Sequence, residues 1–160
     1  MSITHADILN SIKALSILLD DDPDPRQVGL FYVKALIGRP YVWAGDDPMK
    51  GFDCSGLAHE FLQAAGLEAH GIDSTAHDLY LEYKLRLSDP APGCLVFWFK
   101  DGRAIHTEIM ISSTHSIGAS GGGSATKTLE DAIKHNAFVK PRPITYRGNH
   151  FKIVDPFKEL

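Results

Sequence analysis

One short motif, Asp53-Cys54-Ser55-Gly56, combines a potential nucleophile with the features of a helix start. Glycines and a proline precede the cysteine, which is typical of a loop, whereas apolar residues recur at helical spacing from Leu57 onwards. Either neighbour of the cysteine can cap the helix. Unpaired amides and the positive end of the helix dipole favour a thiolate over a thiol there. We therefore expect Cys54 to be a nucleophile, although an arbitrary cysteine in such a place more often has a structural role.

A nucleophilic cysteine needs a base that takes its proton and later protonates the leaving amine. Among the eight histidines, His106 is notable because it lies in an expected strand between the apolar residues Ile105 and Ile109. A lone histidine of this kind is more often a hydrogen-bonded core residue, but its pairing with Cys54 makes it our candidate base. No histidine pair has the spacing of a zinc site. No metal or cofactor is therefore expected.

The apolar pattern predicts an α+β fold, with helices first and an antiparallel meander after them. The second helix is expected to start with Asp24 as N-cap and Pro25 at its first position. Helices are predicted over residues 4–19, from 24 to about 37 with Val28, Phe31, Tyr32, Ala35 and Leu36 inward, from 54 to 65, from about 74, and after Thr128. Strands are predicted over residues 94–99, 104–111, 116–120, 138–146 and 151–156, with a hairpin turn at Asp101-Gly102 and a flexible loop at 121–124.

Composition excludes several classes of partner. The 160 residues are 44% hydrophobic and 22% charged, as in an ordinary globular protein, and the net charge is −4 without a run of lysine or arginine. These values argue against nucleic acid and against a membrane as partners. The N-terminal residues show no signal-peptide pattern, so we expect synthesis in the cytoplasm. Cys54 and Cys94 provide no disulfide framework and no CxxC pair.

Four blocks of this sequence, in this order and at this spacing, resemble the NlpC-type cell-wall cysteine peptidases: YVWAG, GFDCSGLAHEFLQAAGL, APGCLVFWF and AIHTEIMIS. The family pattern is Tyr-x-Trp-Gly-Gly, Asp-Cys-Ser-Gly-Leu, Pro-Gly-Asp-Leu and a strand that begins with histidine. The resemblance covers roughly residues 26 to 140. It implies a papain-like fold, in which N-terminal helices pack on a central antiparallel sheet of about five to six strands.

The resemblance also implies a role for each matching residue. Cys54 would attack a peptide carbonyl as nucleophile, His106 would act as general base, and water would release the acyl-enzyme. Tyr41 would lie beside the cysteine and help to hold the substrate or the oxyanion. Asp53 and Ser55 would line the pocket for the free amino end of a stem peptide. The implied substrate is peptidoglycan, typically at the bond between D-γ-glutamyl and a diamino acid.

Three family positions are occupied by unusual residues, and at one of them Glu108 stands where the family prefers a small glycine. Ala44 replaces the first glycine of the Trp-Gly-Gly block, which we interpret as a mild change. Cys94 replaces the aspartate of the Pro-Gly-Asp block, so the function of that carboxylate is missing. We interpret Cys94 as a core thiol.

The third catalytic member of the family, usually a polar residue about a dozen positions after the histidine, has no obvious counterpart. Counting from His106 leads to Gly118, which has no side chain that could orient an imidazole. His115 is nearby but has the wrong strand parity, and Ser120 has the right parity but lies further along. Glu108 shares a strand face with His106, so it could orient the imidazole or narrow the cleft. The three candidates stay open at this point.

The leading hypothesis is a single cysteine-peptidase domain over residues 1–160, with a helical extension (1–23) and a catalytic core (24–156). Its expected partners are peptidoglycan stem peptides and phage or tail-like particle proteins. A phage-type lysin, or a wall hydrolase carried in a particle, would act on the cell wall after release. One alternative is an amidase or acyltransferase on a related scaffold. Another is a non-catalytic assembly or binding protein that keeps the fold.

Overall fold

A computed structural model describes residues 22–159. The helix expected over residues 4–19 lies outside this range. The described part is α+β, as predicted, with four α-helices and a five-stranded sheet. The helices are α1 (Pro25–Ala35), α2 (Cys54–Ala64), α3 (Ala76–Tyr83) and α4 (Leu129–His135). The strands are β1 (Asp46–Asp47), β2 (Gly51–Phe52), β3 (Leu95–Lys100), β4 (Arg103–Met110), β5 (His115–Ser120), β6 (Phe138–Pro143) and β7 (Phe151–Val154).

The large sheet has the order β6-β5-β4-β3-β7 and every pair in it is antiparallel. Strands β3 to β6 form the expected meander. The hairpin between β3 and β4 turns at Asp101 and Gly102, both of which have positive φ, as a two-residue turn of this type requires. Strand β7 departs from the meander, because it returns to pair with β3 at the opposite edge.

The strand predicted over residues 138–146 was too long. Strand β6 ends at Pro143 and is followed by a 3-10 turn over Ile144–Arg147. The backbone N–H of Ile144 donates to the carbonyl of Thr114, 3.0 Å away, and this bond takes the chain off the sheet edge. The turn places Tyr146 over the sheet, which matters for the site described below.

The main hydrophobic core lies between the helices and one face of the sheet. Helix α2 contributes the fully buried residues Leu57, Phe61 and Leu62. A smaller apolar cluster occupies the other sheet face and contains Cys94, which is fully buried. Burial raises the pKa of the Cys94 thiol. The interpretation of Cys94 as a core thiol is therefore confirmed.

The inward face of α1 agrees with the prediction in part. Leu36 is buried and Tyr32 packs against the core, as expected, but the buried residues within the helix are Gly29, Leu30 and Val33, and Ala35 is exposed. A Cβ on Gly29 would lie 2.7 Å from the ring of Phe61, so the two helices touch through this glycine. A pattern based on apolar side chains does not count glycine as inward, and this shifted the predicted stripe by about one position.

The helix starts predicted at Asp24 and Thr128 are confirmed, whereas α3 begins at Ala76, slightly later than expected. Asp24 accepts the backbone N–H of Arg26 at 3.0 Å and so caps α1, and Thr75 caps α3 in the same way. Thr128 and Asp131 form a reciprocal capping box at α4. Among residues 22–159, none of the helices has the length and apolar character needed to cross a membrane.

Candidate active site

The first turn of α2 holds Cys54 at the start of the helix. Asp53 is its N-cap: Oδ1 accepts the backbone N–H of Gly56 at 2.8 Å and the hydroxyl of Ser55 at 3.1 Å. The preceding loop lies directly against this turn, because a Cβ added to Gly56 would overlap the carbonyl oxygen of Gly45. Cys54 is half-buried. The helix dipole and the unpaired amides of this first turn therefore act on a sulfur that solvent can reach.

Strand β4 brings His106 to the cysteine. The Cys54 sulfur lies beside the His106 ring, close enough to raise the pKa of the imidazole. The ring is almost completely buried, with Nε2 3.0 Å from Glu108 Oε1 and 3.1 Å from the Tyr146 hydroxyl. Because Nε2 is occupied by these two groups, Nδ1 is the ring nitrogen left for the thiol. Trp98, opposite His106 on β3, packs against the ring with centroids 5.5 Å apart.

The buried charges around the imidazole stabilise its protonated form. Burial alone would lower the pKa of His106, but the neighbouring Cys54 sulfur and the Glu108 carboxylate raise it above its ordinary value. Burial alone would raise the pKa of Glu108, but hydrogen bonds from His106, Tyr146 and Ser116 hold it below its ordinary value. The arrangement thus favours an imidazolium at His106 that is backed by a carboxylate at Glu108.

Cys54 opens into a cleft of about 340 Å³. One wall comes from the loop before α2, where Trp43 is 49% exposed, and the other from β4, where Ile105 is 51% exposed. The remaining lining residues are Tyr41, Ala44, Asp53, Ser55, Asp73, Ser74, Thr75, Ala76, His77, Arg103 and Ala104. The three residues expected to contact substrate, Tyr41, Asp53 and Ser55, therefore all line the same cleft as the cysteine.

Tyr41, Asp53 and Ser55 differ in whether their polar atoms are available to a substrate. Tyr41 is buried, and burial together with the nearby Cys54 and Asp53 raises its pKa well above the ordinary value, so its hydroxyl is a proton donor at neutral pH. Asp53 uses Oδ1 for the cap, whereas Oδ2 makes no hydrogen bond to residues 22–159. The Ser55 hydroxyl is engaged with Asp53.

The loop at 121–124 packs against Tyr41, which lines the cleft. Residues Gly123–Ala125 form one turn of 3-10 helix. Gly122 packs so closely on Thr126 and on the Tyr41 ring that a Cβ would overlap the Thr126 hydroxyl and lie 2.6 Å from Tyr41 Cδ1. Gly122 therefore provides close packing against Tyr41.

The structure places the three candidates for the third group in different surroundings. Glu108 contacts His106 directly. Ser120 is buried, and its hydroxyl lies 3.2 Å from the Tyr146 hydroxyl and accepts from Arg147 at 3.0 Å. His115 is exposed, and its Nδ1 is bonded to the Thr114 hydroxyl at 3.0 Å. Sequence reasoning missed Tyr146, because the 3-10 turn that carries it was predicted to be strand.

Ala44 has φ of 55°, in the left-handed region that glycine adopts without strain. The expectation that alanine in place of glycine at this position is a mild change is therefore wrong.

We expect Ala44→Gly to raise the free energy of unfolding by about 1 kcal/mol, measured by urea denaturation. Ala91→Gly, at a residue without positive φ, should lower it by about 0.5–1 kcal/mol. A loss of stability in both variants would contradict the strain at Ala44.

Comparison with known proteins shows the fold and the family to which the chain belongs. A helix-borne cysteine packed against an antiparallel sheet that carries a histidine is the arrangement of the papain-like α+β fold. Residues 38–142 match the NlpC/P60 family. This chain therefore belongs to the NlpC/P60 family.

Two curated relatives and two solved structures are similar to the chain. Protein P54 of Enterococcus faecium is 36% identical over 92 residues, which is 57% of this chain and 17% of the relative. Murein DD-endopeptidase MepH of Escherichia coli (strain K12) is 39% identical over 75 residues, 42% of this chain and 25% of the relative. The chain thus spans a quarter or less of these relatives' length.

The solved structures support the fold. An NlpC/P60 family protein from Bacillus cereus has a TM-score of 0.64 and 20% identity over 83% of this chain and 40% of its own. The peptidoglycan hydrolase RipB from Mycobacterium tuberculosis has a TM-score of 0.61 and 21% identity, covering 84% of this chain and 66% of its own. At these identities the likeness shows the fold alone.

Proposed function

We propose that this chain is a cysteine peptidase that hydrolyses an amide bond in peptidoglycan stem peptides. The observation that carries the proposal is the position of Cys54, which lines an open cleft, beside the buried imidazole of His106. Relatives that are named as endopeptidases, such as MepH and the probable endopeptidase YafL of Escherichia coli (strain K12), support the reaction type. The name of RipB supports peptidoglycan as the substrate class.

The two ring nitrogens of His106 have separate roles in the proposed reaction. The Cys54 thiolate attacks the carbonyl carbon and forms the C–S bond, while the imidazolium donates its Nδ1 proton to the leaving amine as the C–N bond breaks. Water then gives a proton to Nδ1 and attacks the thioester, and the C–S bond breaks. Nε2 keeps its proton throughout, because Glu108 accepts from it.

The negative oxygen of the tetrahedral intermediate needs hydrogen-bond donors. The backbone N–H of Cys54 belongs to the first helical turn, where amides have no intrahelical partner. The Tyr41 hydroxyl lines the cleft beside the sulfur and stays protonated because of its raised pKa. We assign these two groups to the oxyanion.

The finer parts of the proposal concern the substrate group that is bound, the bond that is cleaved and the biological role of the enzyme. The free Oδ2 of Asp53 offers a carboxylate oxygen to an ammonium group, which supports binding of a free amino end. Cleavage between D-γ-glutamyl and a diamino acid, and action as a phage-type lysin or particle-associated hydrolase, stay predictions. The masses of the released fragments decide the first of them.

The test uses purified sacculi of several wall chemistries with wild type and with Cys54→Ala. We expect the wild type alone to release fragments with new amino ends, identified by mass spectrometry, and the fragment masses name the bond. Fragments in which the amine has been exchanged for another acceptor would favour the acyltransferase alternative. If the wild type releases nothing from any sacculus and iodoacetamide alkylates Cys54 no faster than Cys94, the peptidase proposal fails.

A further inference from the structure

Gly118 and Glu108 are neighbours across the β4–β5 pair. The register places Ile109 opposite Ile117, so residue 108 lies level with residue 118. A Cβ added to Gly118 would overlap Cγ, Cδ and Oε1 of Glu108. The side chain of Glu108 therefore folds across the space that a side chain at position 118 would occupy.

The carboxylate in that space is buried and held on both oxygens. Glu108 has no exposed surface. Its Oε2 accepts the hydroxyl of Ser116 at 2.7 Å, and its Oε1 accepts the hydroxyl of Tyr146 at 2.6 Å. Arg142 NH1 lies 3.6 Å from Oε1. A buried carboxylate with so many donors stays ionised and has one fixed orientation.

We infer that Glu108 is the positioning residue of His106 and that Gly118 is the residue that makes room for it. The inference rests on the proposed function, since it assigns the group that holds the imidazole of the Cys54–His106 pair. Without the carboxylate, no negative charge would hold the proton on Nε2, and the ring could carry it on Nδ1 instead. Glu108 accepts the Nε2 proton and so presents Nδ1 to the thiol.

Tyr146 completes the arrangement. Its hydroxyl donates to Glu108, lies 3.1 Å from His106 Nε2, and accepts Arg147 Nε–H at 2.9 Å. Burial, with the nearby carboxylate, raises the pKa of Tyr146 to about 12, so the hydroxyl keeps its proton at neutral pH. The ring packs edge-on against Trp98, which fixes the hydroxyl over the His106–Glu108 contact.

The first test exchanges the carboxylate between the strands. Glu108→Ala should lower kcat for stem-peptide hydrolysis about 100-fold, with KM within about threefold because Glu108 does not line the cleft. The double variant Glu108→Ala/Gly118→Glu should regain at least about tenfold, because its carboxylate comes from the neighbouring strand at the same place. The matched control, Glu108→Ala/Gly118→Leu, fills the space without charge and should regain nothing.

The second test needs no substrate. NMR titration of ¹⁵N-labelled protein, with His106→Gln to assign the signal, should give a His106 pKa about one unit lower in Glu108→Gln than in wild type, because the imidazolium loses an adjacent charge. The alkaline limb of activity should move down by the same amount. The charged and titratable groups beside the ring are Cys54 from α2, Glu108 from its own strand and Tyr146 from the 3-10 turn. Arg142 lies next to Glu108, and Arg147 lies next to Tyr146.

The outcomes separate the two proposals. Equal recovery with leucine and with glutamate at position 118, or no recovery with glutamate in a variant of wild-type melting temperature, would reduce Glu108 to a packing role. An unchanged His106 pKa in Glu108→Gln would also overturn the inference. If sacculi stay intact with the wild type and Cys54 alkylates no faster than Cys94 while the pKa shift is present, the peptidase proposal fails and the positioning of His106 by Glu108 stands.

Discussion

Replacement of His106 by alanine should lower the rate of stem-peptide hydrolysis by about 10³- to 10⁴-fold, close to the loss caused by Cys54→Ala. Without the imidazole, Cys54 has no group to take its proton and the leaving amine has no acid beside it. Because the two residues act as one unit, the double variant Cys54→Ala/His106→Ala should be no slower than the slower single variant.

Single-turnover kinetics on a purified stem peptide would measure this effect, with iodoacetamide alkylation of Cys54 near pH 6 as a readout independent of substrate. His115→Ala is the matched control, because this histidine is exposed and bonded to Thr114 rather than to the site. We expect its activity to stay within about twofold of wild type. More than a tenth of wild-type activity in His106→Ala would contradict the role of His106 as base.

The parts of the site that local sequence determines were predictable. The start of α2 follows from Asp53 as N-cap and from the apolar spacing after Cys54, both of which act within one or two helical turns. The contact between His106 and Glu108 follows from the period of two along a strand. Each of these relations spans only a few residues, so a single sequence contains the necessary information.

The parts that depend on distant chain segments were not predictable. Tyr146 follows His106 by forty positions and reaches it through a turn created by the bond between Ile144 and Thr114. No periodicity in the sequence encodes that bond. Similarly, the sequence shows only that position 118 has no side chain. The reason for the glycine follows from the strand register, which places Gly118 level with Glu108.

Glycines that pack against another segment form a third group. Gly29 and Gly56 both lie inside helices, where glycine is disfavoured relative to alanine by about 1 kcal/mol. Helix propensity therefore gives no reason for their presence. The reason is the close approach of a second chain segment, Phe61 for one glycine and Gly45 for the other. Such an approach is a property of tertiary structure alone.

Gly56→Ala should therefore destabilise the protein by about 3 kcal/mol, although alanine is the better helix former. The added methyl group would overlap the carbonyl oxygen of Gly45. That oxygen also accepts the backbone N–H of Asp53 at 2.8 Å, so it cannot turn away without breaking the bond. Either α2 moves off the loop or the loop moves off α2, and both movements displace Cys54 relative to Tyr41. We expect hydrolysis to fall together with stability.

Urea denaturation followed by circular dichroism would measure this loss, and stem-peptide hydrolysis at a temperature where the variant is folded would measure the displacement of Cys54. Ala64→Gly, at the other end of α2, gives the cost of helix propensity in the same helix, about 1 kcal/mol. If Gly56→Ala were as stable as wild type, the contact between position 56 and Gly45 would be able to accommodate a methyl group without loss of stability. The position of Cys54 would then depend on the Asp53 cap and on the helix packing, because glycine at position 56 would no longer be required.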